Sequence, residues 1–499
     1  MQYTSTRNNS INASSSFAIA SGISSEGGLF VPTEIPRITD DFIESLVPMT
    51  YIERARAVLS LFLTDYTAEE IEKYTLGAYG TGFSSAEVAP TVPLGGGLNI
   101  LELWHGPTCA FKDMALQLLP YLLTGAAKRV SDGKETVILV ATSGDTGKAA
   151  LEGFKDVPGT RILVFYPENG VSPMQKLQMT AQTGNNVGVS AIYGNFDDAQ
   201  TGVKRIFTDE KVKAKLAAHN MAFSSANSIN WGRLVPQIVY YFSAYADMIK
   251  LKKTRNGEKV NFTVPTGNFG NILAAYYARE MGLPVNRLIC ASNANNVLTE
   301  FLTTGRYNRN RPFFTTVSPS MDILISSNLE RLLYHLSGND SETVKKLYSS
   351  LSATGEFTVD GAILDKIKEI FAAGFCDDTE TKATIANVFK NGRYLCDTHT
   401  AVAVSVYEKY TAATGDTTPN VIASTASPFK FSKAVLEAVG DGKAMPSDEF
   451  EMVDALEKLT GTPAPSQLKA LKGAPVRFEK TVKKDEMEGA VYALLGING

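Results

Sequence analysis

Short runs of apolar residues recur along this chain, and stretches with helical spacing separate one run from the next. Such alternation is typical of βαβ units and of a mostly parallel sheet. The runs are apolar almost throughout, as expected for strands that helices cover on both faces. We therefore predict an α/β fold with doubly wound, mostly parallel sheets. The predicted strands lie at residues 136–141, 161–166, 187–194, 260–265, 287–292 and 420–425.

The length of 499 residues exceeds what one hydrophobic core usually organises. Apolar residues follow helical spacing before about residue 95, and charged helical segments return after about residue 435. We expect a smaller lobe of the α/β region at about residues 130–225. The predicted parts are a helical amino-terminal domain (1–95), an α/β region with two lobes (96–435) and a helical carboxyl-terminal extension (436–499).

Charge and composition limit the classes of partner. The net charge of −4 and the isoelectric point near 5.8 give no basic footprint for nucleic acid or an anionic membrane surface. No apolar run approaches the roughly 20 residues that span a bilayer, and the run FAIA near the amino terminus is shorter than a signal-peptide core. We expect a cytoplasmic protein that acts on a small molecule, with a serine-rich transit peptide as the alternative. The sequence does not distinguish a monomer from a dimer.

The cysteines and histidines indicate no metal site. No two cysteines form a CxxC pair, so neither a disulfide framework nor a zinc site is predicted. The histidines lack metal-ligand spacing, and no Ser-His-Asp arrangement is recognisable. Two of them, His105 and His399, are candidates to line a cleft, but a structural role is the simpler interpretation. The residues are Cys109, Cys290, Cys376, Cys396, His105, His219, His335 and His399.

Three of the predicted strands run directly into loops of small residues. These loops are TSGDTGKAA after the first strand, TGNFGN after the fourth and TASP after the last. In doubly wound sheets the ligand binds at the carboxyl ends of the strands, where such loops meet. We therefore expect a binding site between these loops.

The segment PTGNFGN (265–271) has the features of an anion site. Gly267 and Gly270 permit backbone conformations that other residues avoid, and a strand, glycine turn and helix in succession direct free N–H groups at an anion. This arrangement predicts a phosphate site. An ordinary strand-to-helix turn is the alternative interpretation.

The segment ATSGDTGKAA (141–150) resembles a P-loop only superficially. The P-loop pattern requires a glycine where Thr142 stands and a hydroxyl where Ala149 stands, so a triphosphate site is not predicted. Small donors at a helix start suit a carboxylate or a ring oxygen instead. The alternative is a helix cap provided by Ser143 or Asp145.

Two further segments carry polar side chains at strand or helix ends. STASP (424–428) ends the last strand with hydroxyl groups, which suit a ring nitrogen, although a simple turn is the alternative. SSANSINWGR (224–233) concentrates amide, hydroxyl and guanidinium groups and suits an oxyanion. A polar loop that caps the helix beginning near Trp231 is the alternative for the second segment.

The segment HGPTCAFKD (105–113) places Lys112 where the sequence predicts the start of a helix. An exposed cation is the simplest interpretation of a single lysine, yet a helix amino end is unfavourable for a free cation. A lysine enclosed by the apolar Phe111 and Met114 and converted to an imine loses much of that conflict.

The motifs HGPTCAFKD, TSGDTG, SANSIN, PTGNFGN and STASPFKF follow one another in this order. The order of these motifs and the residues in them resemble those of the threonine synthase family. The resemblance begins with YTSTR (3–7) and EGGLFVPTEIP (26–36) and extends through nearly the whole chain. HGPTCAFKD is its most specific motif, whereas the glycine loops alone are less specific.

The resemblance implies a pyridoxal 5′-phosphate (PLP) enzyme of the tryptophan-synthase-β group, fold type II, in which Lys112 holds the cofactor as a Schiff base. It also implies that Thr425 faces the pyridine nitrogen. The implied cofactor-phosphate residues are Gly267, Asn268, Phe269, Gly270 and Asn271. The implied residues for the substrate carboxylate and the cofactor 3′-oxygen are Ser143, Gly144, Asp145 and Thr146. A second negative charge near that oxygen is costly, so we expect Asp145 to point elsewhere or to be protonated.

The family reaction converts O-phospho-L-homoserine and water to L-threonine and phosphate, the last step of threonine biosynthesis. For the leaving phosphate we predict Ser228, Asn230 and Arg233, because of their donor density and their match to the family's SANSIN…R stretch. One alternative is another PLP enzyme of the fold group, such as a dehydratase or a cysteine synthase, with the same Lys112. The other is a non-catalytic relative that keeps PLP. The amino-terminal segment and HGPTCAFKD favour threonine synthase.

Overall fold

The structure is a computed structural model that describes residues 1–131, 133–142, 144–169, 171–440, 442 and 445–497. The predicted site residue Ser143 lies outside the described residues. The strands in the described part are β1 (Tyr3–Ser5), β2 (Asn8–Ala13), β3 (Phe30–Pro32), β4 (Thr91–Gly95), β5 (Leu98–Glu102), β6 (Glu135–Ala141), β7 (Thr160–Pro167), β8 (Val187–Ile192), β9 (Met221–Ser224), β10 (Val260–Pro265), β11 (Val285–Ser292), β12 (Arg306–Asn308), β13 (Glu356–Thr358), β14 (Phe371–Phe375), β15 (Asn420–Ser424) and β16 (Thr481–Val482).

Helices surround the strands, and three short 3₁₀ segments lie at Pro319–Met321, Pro428–Phe431 and Lys484–Glu486. The α-helices in the described part are α1 (Ser15–Ser21), α2 (Asp40–Leu46), α3 (Tyr51–Phe62), α4 (Ala68–Tyr79), α5 (Asp113–Leu116), α6 (Leu119–Val130), α7 (Asp145–Phe154), α8 (Pro173–Thr180), α9 (Phe196–Thr208), α10 (Glu210–Ala218), α11 (Trp231–Lys250), α12 (Gly270–Met281), α13 (Val297–Thr304), α14 (Leu329–Leu336), α15 (Ser341–Thr354), α16 (Gly361–Ile370), α17 (Asp378–Gly392), α18 (Thr398–Thr414), α19 (Ser432–Val439), α20 (Glu449–Thr460), α21 (Ser466–Lys469) and α22 (Met487–Leu495). None of these helices is long and apolar enough to cross a membrane.

The larger sheet has six strands in the order β14-β11-β10-β15-β5-β4. All neighbouring pairs are parallel except the hairpin of β4 and β5. β10 and β15 are neighbours, with Thr263 opposite Ile422. The loops PTGNFGN and STASP, which follow these two strands, therefore leave the same edge of the sheet side by side.

The smaller sheet has five parallel strands in the order β16-β8-β7-β6-β9. The TSGDTG segment follows β6 and leads into α7. All six predicted strands are present in the two sheets, so the predicted α/β alternation is confirmed. Other strands, such as β9 and β14, are four or five residues long and gave no distinct apolar run.

The amino-terminal part is mainly helical, as predicted, and it also contains a small sheet. Helices α2, α3 and α4 lie within the predicted helical region, and β1, β2 and β3 form a small antiparallel sheet ahead of them. These strands are three to six residues long, and β2 is largely polar, so they leave no periodic signal. The small sheet brings the Tyr3 ring to 5.4 Å from the Trp231 ring at the start of α11.

The carboxyl-terminal segment is mainly helical, as predicted, and contains one short strand as well. β16 pairs with β8 and extends the smaller sheet by one strand. Met487 and Val491 of α22 are buried in the same apolar cluster as Ile192 of β8. A strand of two residues carries no recognisable sequence pattern, so the sequence could not reveal this pairing.

Helix α11 is the central helix of the core. It is 20 residues long, and nearly every side chain from Trp231 to Met248 is buried. A helix that is apolar all round is typical of such a position. Because α11 begins directly after the SANSIN loop, the rigid core fixes the position of the polar residues in its first turn.

Candidate active site

Lys112 lies at the end of a loop that backbone hydrogen bonds join to the residues directly after β15. Ala110 and Ala426 form an isolated antiparallel bridge. The Phe111 N–H donates a hydrogen bond to the carbonyl of Thr425 over 2.8 Å. The loop that carries the lysine and the STASP loop are therefore held side by side.

The Lys112 amine is half-buried and surrounded by charged groups. Its Nζ lies 3.4 Å from the hydroxyl oxygen of Ser320. Burial lowers the pKa of Lys112; Asp145 opposes this shift, whereas the positive charges of Lys430 and Arg233 add to it. The lowered pKa favours the neutral amine, which is the form that attacks a carbonyl carbon.

Asp113 fixes the shape of the turn that precedes Lys112. Its buried carboxylate accepts hydrogen bonds from the Thr108 N–H (2.8 Å) and the Thr108 hydroxyl (2.7 Å). Burial raises the pKa of Asp113 to about 6. A Cβ at Gly106 would lie 2.5 Å from the Cβ of Asp113, so the turn needs a glycine there.

The PTGNFGN loop has the geometry of an anion site. Phe269 has a φ of +61°, and α12 begins at the next residue, Gly270. The first N–H groups of a helix have no partner within the helix and bind anions readily. A Cβ at Gly267 would lie 2.8 Å from the carbonyl oxygen of Ser320, so a side chain cannot replace this glycine without a shift.

Side chains from other elements hold this loop in place. The Asn268 carbonyl accepts hydrogen bonds from the backbone N–H (3.1 Å) and the amide (3.0 Å) of Asn328. The Asn271 amide oxygen accepts hydrogen bonds from the hydroxyls of Tyr240 and Tyr241, both at 2.6 Å. The Asn271 amide nitrogen is buried and has no hydrogen-bond partner among the described residues.

Arg331 connects the loop to two other segments, and the sequence gave no signal for it. Its fully buried guanidinium donates to the carbonyls of Phe30 (2.9 Å) and Ile229 (2.6 Å) and to the side-chain oxygen of Asn328 (2.6 Å). The amino-terminal segment, the SANSIN loop and the PTGNFGN loop therefore share one buried residue.

The TSGDTG loop is held by Thr142, the residue that stands where a P-loop would have a glycine. The Thr142 hydroxyl accepts hydrogen bonds from the N–H groups of Gly144 and Gly147, both at 3.0 Å. Gly144 has a φ of +142°, and a Cβ there would lie 2.5 Å from the side chain of Gln175. Thr146 follows in the first turn of α7 and is half-buried. A compact helix start is thus formed next to the lysine loop.

Asp145 pairs with Lys430. Its carboxylate oxygen lies 3.0 Å from Lys430 Nζ, and both side chains are almost completely buried. Burial opposes ionisation, but the positive charges of Lys430 and Lys112 outweigh it, so the pKa of Asp145 is well below its usual range. Of the two expectations for Asp145, a side chain that points elsewhere agrees with this geometry, because the carboxylate faces Lys430, whereas a protonated carboxyl does not. Lys430 belongs to the quoted motif STASPFKF, but its role could not be inferred from sequence.

Thr425 stands at the hydroxyl-rich end of β15. The preceding hydroxyl, of Ser424, accepts hydrogen bonds from Trp104 Nε1 (3.1 Å) and the Thr400 hydroxyl (2.9 Å). Thr425 itself is buried and uncharged. Its position after β15, next to the lysine loop, agrees with the predicted neighbourhood.

The two candidate cleft histidines have structural partners. His399 Nδ1 lies 2.9 Å from the Asp397 carboxylate, and its Nε2 accepts a hydrogen bond from the Ser320 N–H over 3.2 Å. His105 lies 2.8 Å from the Glu102 carboxylate. His399 thus positions the backbone of Ser320, the residue whose hydroxyl approaches Lys112.

Asn230 caps α11 and is fully engaged. Its amide nitrogen donates to the carbonyls of Ile19 (2.9 Å) and Ser225 (2.7 Å), and its amide oxygen accepts from the Gly232 N–H (2.8 Å). Both amide donors are taken, so its predicted contact with a ligand phosphate is without support. The capping alternative describes Asn230 better.

Arg233 has a different environment. One of its nitrogens donates to the Ala226 carbonyl over 2.9 Å, while its Nε is buried and has no partner among the described residues. Burial lowers the pKa of Arg233 to about 10. Ser228, the third predicted phosphate residue, is half-buried on the same loop. A buried guanidinium that forms no ion pair with a described carboxylate is suited to a ligand anion.

Three family models match successive parts of the chain. The model described as "Threonine synthase N terminus" matches residues 2–79. The model "Pyridoxal-phosphate dependent enzyme" matches residues 93–424, and "Threonine synthase, C-terminal" matches residues 400–488. 

The chain belongs to the threonine synthase family. Threonine synthase of Pseudomonas aeruginosa is 39% identical, with 93% of this chain and 96% of the relative aligned. Solved threonine synthases from yeast (33% identity, TM-score 0.89, 99% of each chain) and Brucella melitensis (37% identity, TM-score 0.87, 100% of each chain, PLP-bound) share the fold. The Homo sapiens protein "Threonine synthase-like 1" is 41% identical, with 85% of this chain aligned, but this chain spans only 57% of its length.

PLP is the cofactor of this family, and the residues present fit it. A phosphate fits the start of α12, where Gly267 leaves no room for a side chain and the Asn271 amide nitrogen has no partner among the described residues. Lys112, whose pKa is lowered, fits the need for an amine that reacts with a carbonyl. The fold therefore brings together the glycine loop PTGNFGN, Lys112 and the uncharged Thr425.

Proposed function

We propose that this chain converts O-phospho-L-homoserine and water to L-threonine and phosphate, with PLP held by Lys112. The observation that carries the proposal is a pair of anion-binding features around one lysine: the start of α12 and the buried Arg233, whose Nε has no partner among the described residues. The first suits the cofactor phosphate. The second is needed when the substrate carries a phosphate of its own, whereas a dehydratase or cysteine synthase acting on an unphosphorylated amino acid needs only the first.

For the cofactor phosphate we propose the backbone of residues 267–271 and the free amide nitrogen of Asn271. The loop is held from outside by Asn328, which donates to the Asn268 carbonyl. For the cofactor ring we propose that Thr425 faces the pyridine nitrogen and Asp145 lies near the 3′-oxygen. Because Thr425 is uncharged, it does not stabilise a protonated ring nitrogen as a carboxylate would.

When bound, PLP supplies a ring that accepts electron density from the substrate carbons. Lys112 is the proposed catalytic residue, because its amine, once exchanged for the substrate amine, can move protons at Cα and Cβ. Its lowered pKa suits this role, since a neutral amine is the form that accepts a proton. Because a ring nitrogen that faces the uncharged Thr425 would carry less positive charge, the reaction would depend more on proton transfer by Lys112.

For the substrate we propose two groups of contacts. The hydroxyls of Thr146 and Ser143 bind the carboxylate at the start of α7, where the helix dipole favours an anion. Gly144 shapes this turn and makes no contact of its own, because its N–H already donates to the Thr142 hydroxyl. Arg233 and Ser228 bind the phosphate until it leaves. Asn230 stays outside this proposal, because Ile19 and Ser225 occupy its amide donors.

We further propose that the protein acts in the cytoplasm. The cysteines Cys109, Cys290, Cys376 and Cys396 are all free and buried, which suits a reducing compartment.

The direct test is to incubate the purified holoenzyme with O-phospho-L-homoserine and measure phosphate and threonine, and separately with threonine and measure ammonia. We expect equal amounts of phosphate and threonine from the first substrate and no ammonia from the second. Lys112→Ala is the negative control. Ammonia release without phosphate release would identify a dehydratase, and no turnover at all would contradict the enzyme proposal.

A further inference from the structure

A second lysine, Lys430, is buried beside Lys112, and the proposed chemistry does not use it. Lys430 lies in the short turn after β15, and its side chain is 3% exposed. Its Nζ lies 3.0 Å from the carboxylate of Asp145 and donates a hydrogen bond to the carbonyl of Thr108 over 2.9 Å. Lys430 therefore connects the three loops STASPFKF, HGPTCAFKD and TSGDTG.

Asp145 has two cations close enough to affect it strongly. The charges of Lys430 and Lys112 are the main groups that favour its ionised form, and the Gln175 amide adds a long hydrogen bond of 3.4 Å. A buried carboxylate stabilises the charged form of the nearest amine, because neither charge can be solvated there. Without Lys430, the strongest remaining positive charge that acts on Asp145 would be that of Lys112.

We propose that Lys430 is a positioning residue that pairs with Asp145 and thereby leaves the Lys112 amine uncharged and able to react with the carbonyl of PLP. The inference rests on the proposed function only for the assignment of PLP to Lys112. Two effects of Lys430 have the same sign: its own positive charge disfavours a second charge on Lys112, and its ion pair keeps the Asp145 carboxylate from stabilising that charge.

Other charged groups lie near Lys112 and Lys430, but none of those described takes the place of Lys430 in its ion pair with Asp145. Arg233 disfavours and Asp113 favours the charged form of Lys112. Within the described part of the chain, Lys430 is the only cation in an ion pair with Asp145. His399 also favours the ionised form of Asp145, whereas Lys148 acts on the neighbouring Cys109 and Glu152 on Asp113. Lys148 and Glu152 pair with each other at 2.8 Å.

The test measures the apparent pKa of the Lys112 nitrogen. The pH dependence of PLP uptake by the apo-protein gives this pKa for the free amine, and the visible absorbance of the imine that forms is the readout. For Lys430→Met we expect the pKa to increase by about one to three, the usual effect of a nearby opposite charge that has lost its own partner. Because each unit above the working pH reduces the neutral amine tenfold, PLP uptake at neutral pH should slow about tenfold or more.

Three further variants separate electrostatics from lost packing. Lys430→Arg keeps the charge and should keep the wild-type pKa. Lys430→Gln keeps a donor without the charge and should raise the pKa, which preserves the test if the methionine variant does not fold. In Lys430→Met with Asp145→Asn, the carboxylate is absent and most of the increase should disappear.

Lys433→Met removes an exposed lysine three residues away and is the matched control, with no change expected. The proposal is overturned if Lys430→Met and Lys430→Gln leave the pKa of the Lys112 nitrogen unchanged, or if the increase persists in full when Asp145 is replaced as well. None of these measurements requires substrate turnover. A wild-type holoenzyme without PLP on Lys112 would instead contradict the cofactor assignment itself.

Discussion

Arg233 and Lys430 are both buried cations near Lys112, but their partners differ. Lys430 has a carboxylate at 3.0 Å, whereas Arg233 Nε has no described partner. Burying an unpaired charge is costly, and such a charge is retained mainly where a ligand supplies the opposite charge. At the scale of single residues, this contrast indicates that Lys430 balances the charge of Asp145 within the protein. Arg233, in contrast, is suited to bind an anionic ligand.

Replacing Arg233 with methionine should weaken binding of the phosphorylated substrate. The loss of a charge-assisted hydrogen bond of about 1.5–3 kcal/mol corresponds to a decrease of about 10- to 100-fold in kcat/KM for O-phospho-L-homoserine. Arg233→Lys should retain part of the activity, because it keeps the charge but not the planar donor geometry. The visible absorbance of bound PLP should remain.

The matched control for this prediction is Arg205→Met, which removes an exposed arginine of the smaller lobe. An unchanged KM in Arg233→Met would refute the assignment to substrate phosphate. Loss of PLP with an unchanged KM would place Arg233 at the cofactor phosphate instead.

The sequence predicts the residues of the candidate site more readily than it predicts their hydrogen-bond and ion-pair partners. Lys112 and the PTGNFGN glycines stand in motifs whose wording is specific, and the structure places them at neighbouring loop ends. The state of Asp145 depends on Lys430, far along the chain, and the engagement of Asn230 depends on the carbonyl of Ile19. Such pairings arise only when distant segments pack together, so a local motif does not carry them.

At the scale of elements, the start of α14 links the amino-terminal segment to the site. Glu330 accepts hydrogen bonds from the Thr6 hydroxyl (2.6 Å) and from two nitrogens of Arg7 (2.9 and 2.7 Å). Its neighbour Arg331 binds Asn328, which in turn holds the PTGNFGN loop. The small amino-terminal sheet therefore supports the phosphate site through two adjacent residues of one helix.

Replacing Arg331 with methionine should loosen this connection. The change leaves three buried acceptors without their donor, which should reduce the free energy of unfolding by about 3 kcal/mol or more. PLP affinity should fall as well, because Asn328 loses the hydrogen bond that orients its amide. Chemical denaturation and a PLP titration measure the two effects, with Arg37→Met as the exposed control. A stability loss without any change in PLP affinity would contradict the proposed link to the site.

Long apolar strands were predictable because their burial on both faces gives continuous apolar runs. The smaller elements were not, because β2 is largely polar and β16 has two residues. Their strands form through backbone pairing with partners such as β1 and β8, and this pairing places little demand on side-chain type.

At the scale of the whole molecule, the chain returns to the smaller sheet at its end. β16 and α22 cover the edge and one face of this sheet, so the tail completes a core that begins some 340 residues earlier, as their apolar cluster shows. The larger sheet packs into two other apolar clusters, and one of these also contains side chains from the other face of the smaller sheet, such as Ile138 and Val189. Damage to the tail should therefore affect the smaller sheet first.

Met487→Ala tests this dependence. Met487 is fully buried, and its truncation should cost about 2–5 kcal/mol. Hydrogen exchange should accelerate more in β8 than in β10, because β8 contributes to the apolar cluster that contains α22 and β10 does not. Asp485→Ala, an exposed neighbour, should leave both strands protected. Equal acceleration in both strands would mean that the two sheets unfold as one unit.

The central claim is that Lys112 carries the cofactor, and borohydride reduction of the PLP-loaded protein tests it most directly. Reduction should abolish the visible absorbance and fix the cofactor irreversibly, and peptide mapping by mass spectrometry should locate the added mass on Lys112 alone. Lys112→Ala should show no fixed cofactor under the same conditions. Attachment to another lysine such as Lys430, or no attachment at all, would contradict the account.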